Sequence, residues 1–170
     1  ADGSHNPADI EHLIGALEQN DLGVGSRYVA GGGVKGWGFL RNLISRGGNL
    51  YVRLIMGFPI KDSTAGFVAF RKSMLDKFEV LSISSSGYSY QIEFKNKILE
   101  SGGRFSEVPI IFIDRKDGIS KMSGRIVFEG ILAPWKIAIR ALFKKQNFVN
   151  ILKKSFLVFL AIFTVFFSFY

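Results

Sequence analysis

The sequence predicts an α/β fold, in which helices pack against a sheet. Helix-like and strand-like patterns alternate along most of the chain, which is typical of α/β layer folds. The chain has 170 residues, of which 48% are hydrophobic and 21% charged, enough for one domain with its own core rather than a disordered chain. The absence of cysteine excludes a disulfide scaffold, a thiolate zinc site and a cysteine nucleophile.

The first predicted helix follows the segment 1–7. Ser4 or Asn6 can cap this helix, and Pro7 suits its first turn. Apolar residues then recur with the spacing of one helix face, at Ile10, Leu13, Ile14 and Leu17. A short strand is predicted over residues 23–28, and the consecutive glycines 31–33 predict a loop.

A long helix is predicted from Trp37 to Met56, interrupted at Gly47-Gly48. Its apolar positions are Leu40, Leu43, Ile44, Leu50, Leu54 and Ile55. Arg41 and Ser45 lie four residues apart and therefore share one helix face. A guanidinium and a hydroxyl together suit a phosphate oxygen, and an ordinary solvated face is the alternative.

The second half of the chain continues the alternation of strands and helices. The predicted elements are a strand at 66–70, a helix at about 72–78, an amphipathic helix at 88–100, strands at 105–108 and 110–113, and a helix at 126–143. The last helix has large apolar and basic faces, which is typical of a helix on a membrane surface.

Three acidic residues are candidates for a site. Asp2 lies before the first helix, where it can bind a divalent cation or simply cap the helix. Asp62 begins the segment Asp-Ser-Thr-Ala-Gly-Phe, which places it near a site or in a structural Asx or Ser/Thr turn. Glu93 faces either a cleft or water.

Two basic residues are candidates for binding an anion. Arg115 and Lys121 lie six residues apart in a Gly/Ser loop that can fold over a diphosphate, and a disordered basic surface loop is the alternative. His5 and His12 lie seven residues apart with no cysteine nearby, so they do not predict an imidazole metal site.

The net charge of +8 is confined to one part of the chain. Residues 1–114 contain twelve Lys/Arg and twelve Asp/Glu, residues 115–154 contain ten Lys/Arg against two acids, and residues 155–170 are uncharged. This order predicts a membrane-bound protein with its body on the cytoplasmic side. Nucleic-acid binding is disfavoured, because no aromatic residue is interleaved with the basic residues of the loop at 115–125, as stacking platforms for bases would be.

Four stretches, taken in order, resemble the polyprenyl-phosphate mannosyltransferases, or dolichol-phosphate mannose synthases, of glycosyltransferase family 2. They are SRYVAGGGVKGWGFLRNLISRGGNLY at 26–51, DSTAGF at 62–67, GYSYQIE at 87–93 and EVPIIFIDRKDGISKMS at 107–123. The long first stretch, which has Trp37, Arg41 and Ser45 in register, distinguishes this subfamily from other family-2 transferases.

The resemblance implies a GT-A fold, a Rossmann-like α/β sandwich that binds a nucleotide sugar. We expect an N-terminally truncated chain, because the sequence starts at Ala1 without the nucleoside-binding part. The implied organisation is the C-terminal part of the catalytic domain at 1–124, an interfacial helix with a basic linker at 125–150, and the start of a transmembrane helix at 151–170.

For the donor, the resemblance implies a nucleotide sugar, with GDP-mannose expected first. Asp2 matches the second acid of the Asp-x-Asp metal motif for Mg²⁺ or Mn²⁺, with Ala1 at the middle position. Arg115 and Lys121 match the loop that holds the donor diphosphate. Together with Arg27, these two residues are the implied catalytic residues, and Arg27 is also an implied donor contact.

For the acceptor, the resemblance implies a dolichyl or undecaprenyl phosphate at the membrane surface. Arg27, Arg41 and Ser45 match positions that contact its phosphate. Glu93 is at most an orienting acid, because a phosphate nucleophile is already anionic and needs no strong base. Two alternatives stay open: transfer of glucose or an aminosugar to undecaprenyl phosphate, and a non-catalytic module that binds anionic membranes.

Overall fold

The computed structural model describes residues 3–114 and 124–144, and within its last helix it describes the side chains of residues 130–141. Four sequence predictions therefore lie outside the described residues: Ala1 and Asp2, the loop containing Arg115 and Lys121, the linker at 145–150 and the hydrophobic segment at 151–170.

The described residues form a mixed α/β fold. The helices are α1 (Asp9–Ala16), α2 (Phe39–Met56), α3 (Gly87–Glu100) and α4 (Gly124–Lys144), and the strands are β1 (Leu22–Ser26), β2 (Gly33–Lys35), β3 (Val68–Phe70), β4 (Phe105–Pro109) and β5 (Ile111–Ile113). Two 3-10 helices at Lys72–Lys77 and Val80–Ser82 connect β3 to α3.

The strands form two small sheets that meet at Ile110. The first sheet has the order β3-β1-β4, with β1 antiparallel to β3 and parallel to β4, and the second pairs β2 with β5 in parallel. The amide of Ile110 donates to the carbonyl of Ser26, and its carbonyl accepts from the amide of Gly33. The C-terminal end of β1, which Arg27 follows, therefore lies directly beside the second sheet.

The core lies between the first sheet and the helices. Its most deeply buried members include Leu22, Val24, Ile60, Met74 and Ile98. All five residues of β1 are buried, as expected for the central strand of a sheet covered on both faces.

Helix α4 packs against both α2 and α3. Tyr51 on α2 donates to the carbonyl of Ile131 at 2.8 Å and accepts from Trp135 Nε1 at 2.6 Å. Ile137 contributes a buried side chain to the core. Between residues 124 and 144, α4 is thus joined to the body by polar and apolar contacts.

Within the described residues, no helix has the length and apolarity needed to cross a membrane.

The structure confirms most of the predicted order of helices and strands up to α4, with three corrections. Gly33–Lys35 forms strand β2 and pairs with β5, although the glycines at 31–33 predict only a loop. Neither Ser4 nor Asn6 caps α1: the N-cap is Ala8, which has no side-chain capping bond, and Asn6 Oδ1 accepts the Ala8 amide in a short turn before the helix. Residues 72–77 form a 3-10 helix instead of an α-helix.

Helix α2 departs from its prediction because it continues through Gly47-Gly48 without a break. Of the apolar positions predicted for it, only Ile55 is buried; Val52 is a second buried apolar residue of this helix. Six of its apolar side chains are between 47% and 83% exposed: Phe39, Leu40, Leu43, Ile44, Leu50 and Leu54.

Two glycines test how closely the backbone packs near the end of β1, with a position in α2 as the comparison. A Cβ at Gly32 would lie 2.5 Å from the Ser26 carbonyl oxygen, whereas a Cβ at Gly47 would meet no atom within 4 Å. Gly32→Ala should therefore lower the free energy of unfolding by about 1–3 kcal/mol. Gly47→Ala should raise it by about 0.5–1 kcal/mol, because alanine loses less entropy in a helix. Urea denaturation of both variants checks this, and a stable Gly32→Ala variant would contradict the close approach.

Candidate functional site

The site is built around an ion pair between Arg27 and Asp62. Arg27 follows directly after β1, and it donates to Asp62 from its backbone amide at 2.9 Å, from Nε at 2.7 Å and from Nη2 at 2.7 Å. Nη2 also donates to the Thr64 hydroxyl at 3.0 Å. The side chain of Asp62 is fully buried and that of Arg27 is 11% exposed. The guanidinium is therefore held in one orientation.

Arg27 keeps its charge in this environment. Burial alone lowers its pKa, but the hydrogen bond and the charge of Asp62 together outweigh burial, and the pKa of Arg27 is raised. Among the described residues, Nη1 has no hydrogen-bond partner. A fixed, permanently charged donor is thus left available to a ligand.

Residues 62–65, the Asp62 turn, are themselves held from three directions. Glu107 on β4 accepts hydrogen bonds from the backbone amides of Lys61, just before the turn, and Asp62, its first residue, at 2.9 and 3.0 Å. Asn49 on α2 accepts from the Ser63 hydroxyl at 2.7 Å and from the next backbone amide at 3.3 Å. The third contact comes from Lys95 on α3, which is fully buried and donates to carbonyls of the same turn.

Aromatic rings form a floor beneath the two arginines. The Arg27 guanidinium lies 5.4 Å from the Trp37 ring and 5.7 Å from the Phe112 ring, and the Arg41 guanidinium lies 4.3 Å from Trp37. Trp37 and Phe112 pack edge to face at 5.5 Å. These distances are within the range of cation–π attraction, so Trp37 brings both cations to one place.

Helix α2 adds two polar groups to this place. Arg41 donates to Asp114 at 2.8 Å in a partly exposed ion pair, and Asp114 directly precedes the loop that contains Arg115. Ser45 shares a 2.6 Å hydrogen bond with the hydroxyl of Tyr28. Because only one of these two hydroxyls donates in that bond, the other can donate to a ligand.

The structure thus brings together Arg27, Arg41 and Ser45, three of the predicted site residues. Two guanidinium groups and a hydroxyl beside aromatic rings form a positive, partly buried cluster that suits phosphate oxygens. Their assignment to a particular phosphate stays a prediction.

Glu93 occupies a different environment from these three residues. It is 3% exposed, and its carboxylate accepts from the Ser85 amide at 3.2 Å and from the Ser85 hydroxyl at 2.5 Å. Its other oxygen lies 3.6 Å from Nη1 of Arg140 on α4. The contacts of Glu93 therefore join α3 to α4, and its predicted role as an orienting acid stays a prediction.

The predicted metal and diphosphate residues lie outside the described part of the chain. They are Ala1, Asp2, Arg115 and Lys121. Nearby described residues are ordered against the second sheet: the Ser4 carbonyl accepts from the Ile113 amide at 3.0 Å, and the His5 ring packs 4.6 Å from Phe67. Within residues 3–114 and 124–144, no group of three or more acidic or histidine side chains could hold a metal ion.

The sequence pattern identifies Asp62 as a candidate, but it does not indicate that its partner is Arg27. A second residue of this site has no signal among the motifs. Lys95 was not singled out, although it lies three residues after Ile92 and three before Ile98, both of which are buried in the core. A lysine on the apolar face of an amphipathic helix is the signal that could have identified it.

The comparisons with known proteins agree with the sequence motifs. No protein-family model matches the chain. The polyprenol monophosphomannose synthase of Mycolicibacterium smegmatis is 40% identical over 140 residues, 81% of this chain and 53% of that protein. The undecaprenyl-phosphate mannosyltransferase of Micrococcus luteus is 40% identical over 142 residues, 82% of this chain and 58% of that protein.

A third relative is archaeal. The dolichol-phosphate mannosyltransferase of Pyrococcus furiosus is 38% identical over 135 residues, 76% of this chain and 36% of that protein. The chain therefore spans about half the length of the first two relatives. The resemblance predicted from the motifs is confirmed.

The Arg27–Asp62 pair should dominate the stability of this region. Asp62→Asn leaves the guanidinium of Arg27 buried without a counter-charge, and breaking a buried pair in this way costs about 3–5 kcal/mol. Urea denaturation should show a loss of this size, whereas Asp76→Asn, at an exposed acid, should leave stability within about 0.5 kcal/mol of wild type. Equal stabilities for the two variants would contradict the central place of this pair.

Proposed function

Because the chain belongs to the family of these polyprenyl-phosphate mannosyltransferases, we propose that the protein is an inverting hexosyltransferase. It transfers mannose from GDP-mannose to a polyprenyl phosphate at the membrane surface. The observation that carries this proposal is that Trp37 lies against both Arg27 and Arg41, while Tyr28 contacts Arg27 with its ring and Ser45 with its hydroxyl. Two guanidinium groups and a hydroxyl are a set that suits phosphate.

The surface of α2 supports a lipid acceptor. The helix that carries Arg41 and Ser45 also exposes the six apolar side chains described above. It contains three arginines and no acidic residue. An exposed apolar face with only positive charge beside it is typical of a helix that lies in the interface of an anionic membrane. The acceptor phosphate would then meet Arg41 and Ser45 at the depth of the headgroups.

The proposed reaction is a single in-line displacement. An oxygen of the polyprenyl phosphate attacks the anomeric carbon of the mannosyl group, the bond from that carbon to the donor diphosphate breaks, and GDP leaves with the bonding electrons. Since the attacking oxygen is already anionic, no strong base is required. The residues of this chain act by positioning and by neutralising charge.

Arg27 is proposed to act at the reacting phosphates. Its Nη1 is free to donate while Nε and Nη2 stay bound to Asp62 and its turn, so the cation does not need to reorganise as charge develops. Arg115 and Lys121 are proposed to neutralise the leaving diphosphate, and Glu93 at most to orient neighbouring groups.

A divalent cation is proposed to be held by Asp2, with Ala1 beside it in the donor site. Mg²⁺ or Mn²⁺ prefers carboxylate oxygens, and when bound it supplies positive charge to the diphosphate. The body of the protein is proposed to face the cytoplasm, on the basis of the basic residues after position 115.

An assay of the protein in membrane vesicles tests the proposed function. Labelled GDP-mannose and undecaprenyl phosphate should yield a labelled lipid that is cleaved by mild acid. UDP-glucose and UDP-N-acetylglucosamine, tested in parallel, should yield none. Transfer from a UDP-sugar alone would show that the donor sugar is not mannose. Absence of transfer from every donor would contradict the proposed transferase activity.

Substitutions on α2 test the acceptor site. Arg41→Ala and Ser45→Ala each remove a phosphate contact, so each should raise the KM for the lipid phosphate by about tenfold or more and change the KM for GDP-mannose much less. Arg104→Ala, at an exposed arginine outside the site, is the control and should leave both values unchanged. A rise in the KM for GDP-mannose alone would contradict the acceptor role and would indicate that Arg41 and Ser45 contact the donor.

A further inference from the structure

Lys95 is buried at a depth that is unusual for a lysine. Its side chain is fully buried, and Nζ donates to the carbonyl oxygens of Ser63 at 2.9 Å, Ala65 at 2.5 Å and Gln91 at 3.3 Å. An ammonium group has three donors, so all of them are used. Lysine is almost never fully buried unless it is paired in this way.

Two of these three bonds go to the Asp62 turn. The same turn carries the carboxylate that binds Arg27 through three donors, and it is closed by a bond from the Ala65 amide to the Asp62 carbonyl. Only one short turn therefore separates the ammonium of Lys95 from the guanidinium of Arg27. A change in the bonds of Lys95 can reach Arg27 without passing through any other element.

The charges around Lys95 come from three elements. Asp62 faces it from the turn, Glu107 from β4 and Arg27 from the end of β1; from α3 itself it receives only the Gln91 carbonyl. Burial lowers the pKa of Lys95 to about 7, helped by Arg27 and opposed by Asp62 and Glu107. Its protonation therefore changes within the range in which enzymes work.

We propose that Lys95 is a positioning residue for Arg27: it holds the Asp62 turn, and through it the carboxylate that aims the Arg27 guanidinium at a substrate phosphate. The inference rests on the proposed function, in which Arg27 contacts that phosphate. Lys95 itself touches no substrate. When it is protonated it can hold all three carbonyls, and when it is neutral it can donate to only two.

A double-mutant cycle tests this role on the full-length protein in membrane vesicles. Lys95→Met removes the donors and keeps the length of the side chain, and it should lower kcat/KM by about tenfold or more. In an Arg27→Lys background the same change should add little, because residues that act through one another are not additive. Lys97→Met, at a partly exposed lysine two residues along the same helix, is the control and should keep wild-type kcat/KM.

The pH profile supplies a second measurement. Between about pH 6 and about pH 8.5, the advantage of wild type over Lys95→Met should shrink as pH rises through the pKa of about 7, because the ammonium loses its third donor. A purely structural lysine would give a constant ratio. If Lys95→Met does not accumulate as folded protein, Lys95→Gln takes its place, since it keeps two N–H donors without the charge.

The outcomes separate this inference from the function on which it rests. Additive effects in the cycle together with a constant ratio across pH would overturn the positioning role while wild-type transfer stays normal. Absence of transfer by the wild-type protein would instead overturn the proposed function.

Discussion

A buried carboxylate that must be satisfied determines how this site is arranged. Asp62 has no exposed surface, and an isolated charge at that depth would be too costly to keep. Arg27 meets the cost with three donors and is fixed in return. The turn that carries this carboxylate also forms hydrogen bonds with Glu107, Asn49 and Lys95. The orientation of the Arg27 guanidinium therefore depends on these three residues.

The balance of charge in this region explains why the site is suited to anions. Arg27 and Lys95 face Asp62 and Glu107, so this region contains two positive and two negative groups. Both carboxylates are occupied by donors of the protein itself. The Nη1 group of Arg27 stays available, beside Arg41 and the hydrogen-bonded hydroxyls of Ser45 and Tyr28. A ligand with dense negative charge therefore meets donors that the protein already holds in place, and at Arg41 it competes with the carboxylate of Asp114.

The sequence motifs predicted one half of this site and not the other. Arg41 and Ser45 share a helix face because they are four residues apart, which is local information, and the structure places both near Arg27. Asp62 and Lys95 are partners of residues more than 30 positions away, and no local pattern encodes such pairing. The exposure of α2 could not be predicted for a related reason: its periodicity identifies an apolar face, but the periodicity is the same whether that face meets a core or a lipid surface.

A structure of the full-length protein with a polyprenyl phosphate bound tests the role of Arg27 most directly. A phosphate oxygen should lie within hydrogen-bond distance of Nη1 of Arg27 and of Arg41 or Ser45, while Nε and Nη2 of Arg27 stay bound to the Asp62 turn. A phosphate bound away from α2, or an Arg27 that leaves Asp62 to reach the ligand, would contradict this role.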